Sequence, residues 1–97
     1  MDLSVMNNPV EYLSSDSVPY FFGWLESRVK EGKGGFFSAI VKKRTDGSLR
    51  EFNAVVSSID MENNMAVVWD AHAGNYRHIS FEGVRAVRTE KRDYYFS

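Results

Sequence analysis

Thirteen carboxylates, two histidines and no cysteine are the material from which this 97-residue chain could build acid–base, metal or nucleophilic chemistry. A general base needs an orienting partner and a reacting group within hydrogen-bond reach. Asp70 with His72 or His78 offers the first two, but no serine stands in a Gly-x-Ser-x-Gly turn to supply a nucleophile. Asp46, Asp60 and Asp70 each stand where a turn is expected, and a short carboxylate there bonds to nearby backbone. Two histidines separated by a turn, with no thiolate, fall short of a soft metal site. Gly32–Lys33–Gly34–Gly35 is glycine-rich, but a phosphate cradle opens a helix, and this run closes one. The chain is expected to be no enzyme and to hold no cofactor or metal.

Binding chemistry is better represented. Lys42, Lys43, Arg44 and Arg50 flank one turn, and Tyr76, Arg77 and His78 lie on a strand expected to reach the same end of the sheet. Rings for stacking beside cations for phosphate are what single-stranded nucleic acid requires. A net charge of −1 weighs against that ligand, and Asp46 and Glu51 stand close enough in sequence to cancel Arg44 and Arg50. Aromatic residues form the other candidate surface. Tyr20 and Trp24 lie off the centre of a helical apolar stripe, and Tyr94, Tyr95 and Phe96 follow the last core strand. Tyr, Trp, Phe and Arg dominate protein interfaces. The competing reading of the tail is a buried strand that closes the barrel.

These residues need elements to position them. Val18, Phe22, Leu25 and Val29 recur at helical spacing, with Phe21 beside them. Asp16 or Ser17 can cap that helix, Pro19 suits its first turn, and Gly32 stops it. Strands are expected at Phe36 to Arg44, Leu49 to Asp60, Met65 to Asp70, Tyr76 to Ser80 and Arg85 to Thr89. Asp46–Gly47, Asn63–Asn64 and Gly74–Asn75 supply the turns, and Phe81 to Val84 a single 3₁₀ turn. Phe37, Ala39 and Val41 share one face, as do Met65, Val67 and Trp69.

The whole is one compact domain at 18–97 preceded by a loosely ordered acidic arm at 1–17, which carries Asp2, Glu11 and Asp16 without a base. No apolar run approaches the ~20 residues of a membrane helix, and the absence of cysteine fits a reducing compartment; a cytoplasmic protein without membrane contact is expected. A helix followed by five meandering strands and a 3₁₀ turn describes a mainly β (α+β) fold, a small, strongly bent SH3-like or Sm-like barrel.

The segment Lys42-Lys43-Arg44-Thr45-Asp46-Gly47-Ser48-Leu49-Arg50, then Val67-Val68-Trp69-Asp70, then Tyr76-Arg77-His78-Ile79 ahead of Val84-Arg85-Ala86-Val87 resembles small SH3-like β-barrel proteins encoded by tailed bacteriophages. The match spans residues 42–88 and excludes the arm and the tail. It implies a barrel and a host-encoded protein partner from transcription, replication or defence machinery, and it carries no activity. The first expectation is thus a non-catalytic module that binds protein through Tyr20, Trp24, Tyr94, Tyr95 and Phe96. The second is an Sm-like nucleic-acid binder, in a ring joined edge to edge, using Lys42, Lys43, Arg44, Arg50, Tyr76, Arg77 and His78.

Overall fold

The computed structural model describes residues 8–97. It is mainly β, with one helix packed on a single sheet. The strands are β1 (Val10–Leu13), β2 (Phe37–Lys42), β3 (Leu49–Asp60), β4 (Met65–Asp70), β5 (Asn75–Ser80), β6 (Val84–Arg88) and β7 (Asp93–Phe96), and the helix is α1 (Val18–Lys30). Seven strands, not five, run in the order β1-β7-β6-β2-β3-β4-β5.

Both additional strands lie outside β6. β7 pairs antiparallel with β6, and β1 pairs parallel with β7, Val10 facing Asp93 and Leu13 facing Phe96. Val10–Leu13 falls in the stretch expected to be a loose arm. Its four residues show no clear period, and it is a strand because a distant segment offers it a ladder. The part of that arm at 1–7 lies outside the described residues.

α1 begins as expected in place but not in detail. Ser17 is the N-cap with Pro19 in the first turn, yet the Ser17 side chain makes no capping bond. A 3₁₀ turn at Ser15–Ser17 leads in instead, and Ser14 Oγ accepts from the Asp16 amide at 3.2 Å. The helix closes by a Schellman arrangement. Gly32, at φ +71°, donates to the Val29 carbonyl at 3.1 Å, and Lys33 donates to that of Arg28 at 2.8 Å.

The core lies between α1 and the concave face. Phe21, Phe22 and Leu25 meet Phe37, Ala39 and Val41 of β2, Phe52, Ala54 and Val56 of β3, and Ala66 and Val68 of β4. Register shifts at Ile40/Val41 and at Val56/Ser58 bend the sheet around the helix. At the far end, Gly83 comes so near β2 that a Cβ there would stand 2.5 Å from the Lys42 carbonyl oxygen. On β4, Met65, Val67 and Trp69 share one face as expected, and it is the outer one; Ala66, Val68 and Asp70 face inward. The phenylalanines of α1 fill the concave side, so the smaller parity faces in and the indole packs on Tyr76, centroids 5.0 Å apart. Among the described residues no helix is long and apolar enough to cross a membrane.

Candidate functional site

The expected aromatic surface splits. Trp24 projects from α1, 44% exposed, and rests on Phe21 with ring centroids 5.6 Å apart. Tyr94 comes from β7 and packs on the same Phe21 at 4.6 Å. Phe21 thus carries both rings and brings two of the expected residues together. Tyr20 lies one turn before Trp24 and is 79% exposed. Tyr95 alternates to the opposite face of β7, where it stacks on Tyr12 at 5.6 Å. Phe96 is only 4% exposed and belongs to the core; as a partner anchor it is ruled out by burial. The tail does add a strand, β7, but that strand extends the sheet between β6 and β1.

Trp24 and Tyr94 line a groove of about 630 Å³ between α1, the Lys33–Phe36 link and the β6–β7 turn. Phe36, 55% exposed, adds a third ring. Five cations also line it: Arg28, Lys33, Arg88, Lys91 and Arg92. Arg28 lies over Trp24 with its guanidinium carbon 5.2 Å from the ring centre, and one nitrogen donates to the Lys33 carbonyl at 2.8 Å. The sequence signal for that pair was the four-residue spacing on one helix face. Phe36 carried no signal of its own, and Lys91 only that of a run of bases near the C-terminus; their meeting with α1 is non-local.

Most of this charge is answered locally. Arg88 makes a two-pronged bond to Asp93 at 2.9 and 3.0 Å, Arg92 meets Glu11 at 3.2 Å, and Lys33 meets Glu31 at 3.1 Å. With Glu90 in the lining, five cations stand against four carboxylates. Among the described residues, Arg28 and Lys91 pair with no carboxylate. The β6–β7 turn is pinned where Asn8 donates to Thr89 and Asp93 at 3.2 and 3.1 Å.

The hydrogen bonds from Arg88, with a smaller contribution from Asn8, hold the Asp93 carboxyl below its usual range against the opposing effect of burial. A depressed native value means that the ionised form favours folding. This contribution is complete above the unfolded carboxylate value near ~4 and is lost as pH falls through the native one. Urea midpoints measured downward from about pH 5 are therefore expected to fall less steeply for Asp93→Asn than for the parent. Equal slopes would remove Asp93 from the acid response.

The residues expected to bind nucleic acid do not converge. Lys42 pairs with Leu49 at one end of β2, whereas Phe37 at the other end is level with Ala54, Asp70 and Asn75. Tyr76, one residue further on and level with Val55, therefore lies about 20 Å along the strands from Lys42, at ~3.4 Å per residue. Lys42, Lys43 and Arg44 are exposed at the turn, and Arg50 lies over Phe52 at 5.0 Å. Neither Arg44 nor Arg50 pairs with Asp46 or Glu51; Asp46 is occupied by the Ser48 amide and hydroxyl at 2.9 and 2.7 Å. Arg77 faces inward, its Nε 3.8 Å from Asp70, while His78 is exposed. Asp70 accepts from the backbone amides of His72 and Ala73 at 3.0 and 3.1 Å, and its pKa is lowered chiefly by the Ala73 bond. It is a turn former, as expected, and no imidazole is held by it.

Comparison with protein-family models, with curated proteins and with solved structures finds no match.

Proposed function

We propose that this chain is a non-catalytic interaction module, an SH3-like or Sm-like barrel with two added strands, that binds a protein partner in the groove between α1 and the β6–β7 turn. The carrying observation is the convergence of Trp24, Phe36 and Tyr94 on one groove whose basic rim is largely neutralised by its own carboxylates. A phosphodiester track needs unanswered cations at successive phosphates. Rings, one cation over an indole and a nearly balanced rim suit a polypeptide, where arginine and aromatic anchors supply the affinity. On the resemblance alone, we read the partner as host-encoded and the setting as cytoplasmic.

Single-stranded nucleic acid is the second reading, favoured only by the exposed Lys42, Lys43 and Arg44. A ring closed through β6 has no support, because β7 and β1 cover that edge.

The test is affinity capture from host extract, with and without nuclease, by the parent and by Trp24→Ala. Stoichiometric capture that survives nuclease and falls about thirtyfold in affinity on Trp24→Ala, the size of an interface hot spot near 2 kcal/mol, is the expected result. Nuclease-sensitive capture moves the assignment to nucleic acid. Capture indifferent to Trp24 removes the groove from the interface.

A further inference from the structure

We infer that one wall of the groove is a carboxylate site. In it, the backbone amides of Gly34, Gly35 and Phe36, with Arg28 and Lys91, hold the C-terminal carboxylate of the partner polypeptide. The inference rests on the reading of the groove as a protein-binding surface.

The amides come first. The helix end uses those of Glu31, Gly32 and Lys33, which donate to Ser27, Val29 and Arg28 at 2.9, 3.1 and 2.8 Å. The next three, at Gly34, Gly35 and Phe36, donate to no backbone carbonyl among the described residues. All three residues line the groove. Gly34 and Gly35 sit at φ +94° and +120°, and a Cβ added at Gly34 would meet nothing within 4 Å, so a ligand can approach the backbone there closely. Successive amides of this kind capture chain-terminal carboxylates.

The charge agrees. The two lining cations without a carboxylate partner among the described residues, Arg28 and Lys91, are the ones available to an incoming anion. The bond from Arg28 to the Lys33 carbonyl ties its guanidinium to the same link that carries the amides. Glu31, which pairs with Lys33, and Glu90 limit the field to what one negative charge needs. A dianionic phosphate would meet those two carboxylates with little left to offset them. A volume of about 630 Å³ suits a few residues, so a chain end can fill it with its last side chains on Trp24, Phe36 and Tyr94.

The full ¹⁵N-labelled chain is titrated with acetyl-Ser-Ile-Phe-Leu as the free acid, with the same peptide as its C-terminal amide, and with acetyl-Ser-Asp-Phe-Leu amide, whose only carboxylate is internal. The free acid is expected to shift the amide signals of Gly34, Gly35 and Phe36 and to bind about tenfold more tightly than the amide, as for a charge-assisted hydrogen bond. Arg28→Ala with Lys91→Ala is expected to erase that difference while the remaining amide signals keep their positions. Equal binding of acid and amide, or no shift at those three amides at millimolar peptide, overturns the inference. Equal binding of the internal carboxylate overturns the chain-end assignment, and the same shifts from oligothymidylate reassign the site to phosphate. The two readings fail separately. Capture that survives Trp24→Ala sinks the interaction groove, whereas Trp24-dependent capture that survives the Arg28/Lys91 double variant sinks only the carboxylate site.

Discussion

Phe22→Ala is expected to cost about 3–5 kcal/mol, most of the stability of a domain this small. The ring is fully buried and stands edge-on to Phe37 at 5.4 Å and tilted to Phe81 at 5.5 Å. It joins α1 to β2 and to the 3₁₀ turn before β6, so its removal leaves a void between three elements that cannot all close in. Transfer and cavity terms then add. Urea unfolding followed by tryptophan fluorescence measures the loss; Phe22→Leu, which keeps much of the volume, is expected to cost less. A loss below about 1 kcal/mol would mean that the helix does not anchor the sheet as described.

Gly35→Ala is the second large effect, at about 2–5 kcal/mol. Two costs combine. The residue sits at φ +120°, where a side chain is strained, and the new Cβ would lie 2.6 Å from Val29 Cγ2 and 3.2 Å from the Leu25 carbonyl oxygen. Gly34→Ala separates them, since its φ of +94° carries strain but its Cβ meets nothing within 4 Å. It is expected to cost about 1–2 kcal/mol. Thermal unfolding of the two variants side by side measures the excess at Gly35. Equal losses would mean that the helix and the link are not in close contact.

The strands at Leu49–Asp60 and Met65–Asp70 agree with the sequence reading residue for residue. Their ends are written in local chemistry: Gly47 and Gly74 adopt positive φ, as does Asn64 at 56°. What was not legible is non-local. Val10–Leu13 becomes a strand only because Asp93–Phe96 lies beside it. The facing of β4 was also hidden, because both parities are apolar and the larger one invites an inward reading. Only the phenylalanines on the concave side decide it. Trp24 and Tyr94 were visible as aromatic candidates, but their meeting depends on Phe21 lying between helix and tail. The spread of the basic turn and Tyr76 to opposite ends of β2 follows from register, which composition does not carry.

The parallel pairing of β1 with β7 has a consequence in time. The turns joining β2 to β5 close short loops, whereas the β1–β7 ladder joins the two ends of the described chain, and the entropy of closing a loop grows with its length. Local hairpins are expected to form before such a clasp, which would leave the clasp largely outside the folding transition state. Weakening it speeds unfolding and leaves the folding rate nearly unchanged. Tyr94 lies on that clasp and forms one side of the groove. The short β6–β7 turn also holds β7, so loss of β1 strips only the outer ladder beside Tyr94, a partial opening smaller than unfolding of the whole domain. A partner that recognises only the closed groove holds the clasp shut by mass action. Occupancy then becomes a determinant of how long the folded chain persists.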